Sequence, residues 1–224
     1  MKKAAVLAVV FFGVCAVTSL DAAGAGTAGK GTVSAGRTEM KMPKMESALE
    51  LRLAMRMLWE DHIAWTRSYI ISSISNLEDI NKVSERLLKN QDDIGNAIKP
   101  YYGEEAGNKL ASLLKAHINI ATEVINAAKL GITDDLTAAQ NKWKANAGDI
   151  AAFLSAANPN WKKNDLSDML YKHLDLTTGE VTSRLNKDWA SDISSYDKGQ
   201  VHMLKFADVL TSGIIKQFPS KFKK

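Results

Sequence analysis

From Glu46 to the C-terminus the chain carries only three prolines, Pro100, Pro159 and Pro219, while apolar residues recur at spacings of three and four. That spacing lays apolar side chains along one face of an α-helix, and proline stops a helix because it lacks an N–H and crowds the preceding turn. No apolar run has the length and β-branched content of a buried strand. The pattern therefore predicts an all-α fold, an antiparallel bundle of about six helices over 46–75, 78–99, 104–129, 133–156, 164–185 and 187–218. Thr133, Asp134 and Asp135 offer an N-cap with acidic residues at the positive helix end, and Gly131 a stop for the preceding helix. Pro100-Tyr101-Tyr102-Gly103 and Asn158-Pro159-Asn160-Trp161 read as short corners, which force neighbouring helices to run antiparallel.

A shift of 56 residues aligns Asn90 with Asn146, Asp93-Ile94 with Asp149-Ile150, Leu110 with Leu166, Leu114 with Leu170, His117 with His173 and Thr122 with Thr178. His62 takes a similar place in the first helix. The expected unit is a helix pair of about 55 residues used three times, closing into a bundle rather than a short solenoid because both terminal helices are long.

The first 45 residues read differently. Lys2 and Lys3 precede an apolar run from Ala4 to Leu20 and small residues from Ala22 to Ala25, the pattern of a cleaved signal peptide over 1–25. Residues 26–45 are rich in Gly, Ala, Ser and Thr and read as a flexible linker before the domain at 46–222. The expected location is outside the cytoplasm, whether periplasm, cell surface or medium, with membrane contact only through the N-terminal signal or an uncleaved anchor. Met40, Met42 and Met45 end the linker; thioethers suit Cu(I), although methionines beside a helix start more often pack as gap fillers.

Composition narrows the chemistry. The single cysteine, Cys15, lies in the apolar run and excludes a disulfide framework or a thiol metal site. Basic and acidic residues number 29 and 25, too even a balance for a nucleic-acid surface. Nucleotide-binding glycine loops, nucleophile elbows and HExxH are absent from the sequence, so no enzyme activity and no cofactor are expected.

What remains is a polar constellation on apolar faces. His62 falls in the stripe Met55, Leu58, His62, Trp65, Tyr69; His117 in Leu110, Leu114, His117, Ala121, Val124; and His173 in Leu166, Leu170, His173, Thr177, Val181. Three imidazoles are thus expected inside, where an unpartnered polar group costs about 1–3 kcal/mol. Asp93, Asp149 and Asp192, with Asn90 and Asn146, are the expected partners on the paired helices. In one reading these pairs set helix register. In the other, His62, His117 and His173 converge with a carboxylate on Zn, Cu or Fe. The di-iron Glu-x-x-His spacing is missing, because the residues three before these histidines are Trp59, Leu114 and Leu170. His202 is either a fourth member or a surface residue. The five tryptophans, with Tyr101 and Tyr102, serve packing or line a small-ligand groove. A protein partner in the cell envelope is a third possibility.

The strings LWEDHIAWTRSYII (58–71), LLKNQDDIGNAIKPYYGEEAGNKL (87–110), HLDLTT (173–178) and GIIKQFP (213–219) resemble those of a family of uncharacterised bacterial helical proteins. The resemblance spans about 46–222 and implies an all-helical fold. Members carry automatic names such as glycosyltransferase or acetylglutamate kinase, activities of parallel-sheet folds for which this chain has no strands to offer.

Overall fold

The computed structural model describes residues 47–222, which form five α-helices, with no strand among them. Helix α1 (Ala48–Ile74) starts at Ser47, whose Oγ accepts the Glu50 N–H at 3.1 Å while the Glu50 carboxylate accepts the Ser47 N–H at 2.9 Å. This reciprocal pair satisfies two donors that a helix start otherwise leaves open. Helices α2 (Ile80–Leu130), α3 (Thr133–Ala157), α4 (Lys163–Leu185) and α5 (Trp189–Gln217) follow, then a 3-10 turn at Pro219–Lys221. Gly131 ends α2 in the left-handed conformation with φ 69°, as its sequence position suggests. Thr133 is the first residue of α3 rather than its cap; Ile132 holds the cap position without a side-chain bond. The signal peptide, the linker, Cys15 and Met40, Met42 and Met45 lie outside the described residues.

The helix count is five rather than six. The helices expected over 78–99 and 104–129 run together as α2, whose backbone departs from helical geometry at Gly103, with φ 85° and ψ 172°. A φ of that sign is open to glycine at little cost, so one residue suffices to turn the chain. The two arms lie side by side: Lys115 Nζ reaches an Asp92 carboxylate oxygen at 2.6 Å, whereas a straight helix would separate those residues by roughly 34 Å. Gly95 and Gly107 stand where the arms cross most closely, since a Cβ built on either falls within 3 Å of the other's carbonyl oxygen.

Packing closes the ring. Helix α1 lies against α2 and α5, and α3 lies against α2 and α4, while α4 packs on α5. Arg52 and Arg56 of α1 both reach Asp208 of α5, at 3.2 and 2.6 Å, across that closing seam. The main core gathers residues from all five helices, among them Met55, Trp59, Leu114, Trp143, Leu170 and Phe206. A smaller core of Tyr69, Ile70, Val83, Leu87, Ile118, Ile125 and Val181 fills one end. Trp59, Trp143 and Trp161 are buried, Trp65 is half-buried and Trp189 is exposed. No described helix is long and apolar enough to cross a membrane.

Candidate functional site

The apolar stripes bring His62 of α1, His117 of α2 and His173 of α4 into contact inside the bundle, each 2–3% exposed. The His173 ring stands between the others, with centroids 5.5 Å from His62 and 5.9 Å from His117. Trp59 sits edge-on to His62 at 5.5 Å, and Trp143 lies 5.2 Å from His117.

His117 is fully engaged. The Trp143 indole donates to Nε2 at 3.1 Å, so Nε2 must be the bare nitrogen; Nδ1 therefore carries the proton and donates to Asn146 Oδ1 at 2.8 Å. The Asn146 amide in turn donates to the Leu113 carbonyl at 3.2 Å. This is the expected pairing of an inward histidine with an amide on the neighbouring helix.

The remaining expected pairings are not formed. Asp93 binds Lys89 at 2.7 Å along its own helix, and Asp149 is exposed. Both directly precede a buried isoleucine, and one residue turns a helix by about 100°, which carries the carboxylates off the inward face. Asn90 is buried but donates to the Leu58 carbonyl at 3.0 Å, bolting α2 to the α1 backbone, and accepts from Gln91 at 3.1 Å. His62 Nδ1 and His173 Nδ1 have no hydrogen-bond partner among the described residues. His202 is half-buried and donates through Nε2 to the Met169 carbonyl at 2.7 Å, and it adds to the lowering of His173.

Asp192 is almost completely buried but serves a different cluster. Arg67 of α1 grips it with two bonds, Nη1 to Oδ1 at 2.9 Å and Nη2 to Oδ2 at 3.2 Å, and also reaches Glu180 at 2.6 Å. Arg184 reaches Asp192 Oδ2 at 2.9 Å. Two guanidinium groups thus face two carboxylates, with the Arg67 guanidinium lying 4.7 Å over the Tyr196 ring. Sequence reasoning missed Arg67, Glu180 and Arg184. The only signal was the four-residue spacing of Glu180 and Arg184, which is commonplace on solvated helix faces.

Burial dominates the titration of these groups. It lowers His62 to about 3, helped by the neighbouring His117 and against a Gln91 side-chain hydrogen bond, and lowers His117 to about 4 against the Asn146 hydrogen bond. His173 falls well below the usual histidine value through burial and the other imidazoles. All three rings are neutral at pH 7. Burial raises Glu180 to about 7, outweighing the attraction of Arg67.

Among the described residues no group of three or more His, Cys, Asp or Glu side chains is arranged to hold a metal ion. Both nitrogens of His117 are already spent, and the buried carboxylates nearby belong to arginines. No family model, curated protein or solved structure matches the chain.

Proposed function

We propose that the protein is an exported, non-catalytic helical-bundle module whose interior polar groups set the register of its helices. The observation that carries this reading is the Trp143–His117–Asn146 chain, in which an imidazole spends both nitrogens on neighbours from α3 and none on a cavity or on solvent. A buried network satisfied in this way discriminates against slipped packings, because any slip leaves polar groups unpaired. Export rests on the N-terminal charge and hydropathy pattern. The bundle itself would offer its outer helix faces to a partner in the cell envelope. A helix-pair repeat fits the recurrence of a local motif: Thr66 donates to the His62 carbonyl and Thr177 to the His173 carbonyl, each four residues on.

The test is a double-mutant cycle. His117→Ala and Asn146→Ala should each cost about 2–4 kcal/mol in denaturant unfolding, with a coupling of at least about 1 kcal/mol between them. Elemental analysis of untagged protein accompanies the cycle. Stoichiometric metal that disappears with His117→Ala in a still-folded protein, or a coupling near zero, would overturn the structural reading. Mass spectrometry of the mature chain tests export separately, with loss of about the first 22–25 residues expected.

A further inference from the structure

Helices α4 and α5 pack side by side and are tied where His202 Nε2 donates to the Met169 carbonyl at 2.7 Å. On α5, Lys198, Val201 and Lys205 follow one another at spacings of three and four, so they share one face; on α4, Lys172 and Leu176 do the same. These five residues, with Asp197 and His202, line a surface groove of about 470 Å³. Val201 is 53% exposed there, and Leu176 is half-buried. The groove thus has an apolar floor, extended by the methylene stems of the lysines, and carries three ammonium groups against the single carboxylate of Asp197.

The lysines are unspent. Lys172, Lys198 and Lys205 make no ion pair or hydrogen bond among the described residues, whereas Lys82, Lys89, Lys99, Lys115 and Lys142 each hold a carboxylate. In two other surface grooves each lysine is matched by a carboxylate, Lys216 by Asp208 and Lys115 by Asp92. The excess of cations in this lining favours an anion, which ammonium groups hold through charge-assisted hydrogen bonds. Leu176 and Val201 gain only when hydrocarbon covers them. A small inorganic anion would leave both wet, and a neutral hydrocarbon would leave three cations unpaired. Lys198 and Lys205 stand about 10 Å apart along α5 with Val201 between them, so one extended molecule can meet both kinds of surface. A groove of this volume suits a single small molecule.

We infer that this groove binds a single-chain anionic amphiphile, an alkyl chain ending in a carboxylate or phosphate. Its head lies among Lys172, Lys198 and Lys205, and its chain along Leu176 and Val201. The site is outside the imidazole core and does not depend on the register-setting role of His117.

The experiment titrates the full chain with dodecanoate below its micelle concentration at low salt, following heat and methyl ¹H–¹³C spectra. The expected result is one molecule bound per chain, with methyl shifts centred on Leu176 and Val201. Binding should weaken at least about tenfold in the double variant Lys172→Gln, Lys205→Gln, and should weaken with added salt. Lys216→Gln, in another groove, should bind as the wild type does. All three substituted side chains are exposed, so the variants should fold. Dodecyl maltoside bound as tightly as dodecanoate would reduce the groove to an apolar patch, and acetate bound as tightly would reduce it to a charge cluster. Either result would overturn the proposal, as would unshifted Leu176 and Val201 methyls, or attachment to phosphatidylglycerol vesicles without binding of soluble dodecanoate.

Discussion

At the scale of single residues, the same burial gives different results according to what stands across the gap. Asp192 is the clearest case. Its carboxylate accepts three bonds from Arg67 and Arg184, so replacing it leaves two cations facing the single Glu180 carboxyl. Asp192→Asn should cost about 3–5 kcal/mol in chemical denaturation, the range for an uncompensated buried charge. Asp192 also repels the Glu180 carboxylate, adding to the burial that raises it to about 7, so the same substitution should move Glu180 downward in a ¹³C titration. An unchanged Glu180 together with a loss under 1 kcal/mol would refute this view of the cluster. The sequence placed Asp192 near the apolar seam, and it is buried. It did not reveal the partners, because Arg67 lies 125 residues away and its long side chain reaches inward from a half-buried position.

Among the elements, α2 is the most informative. Its hairpin depends on two different uses of glycine, one for the backbone and one for space. Gly103 has the positive φ that other residues rarely adopt, and a Cβ there would meet nothing within 4 Å, so Gly103→Ala should cost about 1–3 kcal/mol from backbone strain alone. Gly95 is ordinary helix, but a Cβ there would sit 2.5 Å from the Gly107 carbonyl oxygen and 2.8 Å from Ala111 Cβ. Gly95→Ala should therefore push the arms apart, cost at least as much, and speed hydrogen exchange along both arms. Exchange unchanged on the 107–120 arm would argue against the close crossing. The corner was legible as Pro100-Tyr101-Tyr102-Gly103, whereas Asp93, expected to face an imidazole, meets Lys89 while Asp92 meets Lys115 of the other arm. What could not be read was that one glycine, with no loop around it, suffices to turn α2 back on itself.

For the whole molecule, the buried imidazoles govern the response to acid. Each has a folded-state value below the unfolded value near 6.5, so the unfolded chain binds protons that the folded chain refuses. Their contribution is complete above pH 6.5 and is lost as pH falls toward about 4 for His117 and about 3 for His62. Glu180 acts oppositely: its folded value near 7 exceeds the unfolded one near 4.5, so it favours folding as pH falls through that window. Three protons against one leave a net loss approaching about 3 kcal/mol per pH unit near pH 5, at about 1.4 kcal/mol per proton per unit. Urea midpoints measured at pH 7 and pH 5 should fall steeply; an equal or higher midpoint at pH 5 would mean that the imidazoles are not buried neutral.

Local sequence alone determined that the domain is helical, where glycine stops α2, and that His62, His117 and His173 turn inward. The first and last follow from a 3.6-residue repeat within one segment, and the stop from glycine's tolerance of positive φ. The tertiary structure decided which polar group each inward side chain meets: Asn146 and Trp143 for His117, two arginines for Asp192, and, for the Nδ1 atoms of His62 and His173, no hydrogen-bond partner among the described residues. Such partners come from other helices, and a hydrogen bond fails when a helix rotates by one residue or slides by an ångström or two. Spacing along one helix carries no record of that rotation, so the core could be foreseen in composition but not in its connections.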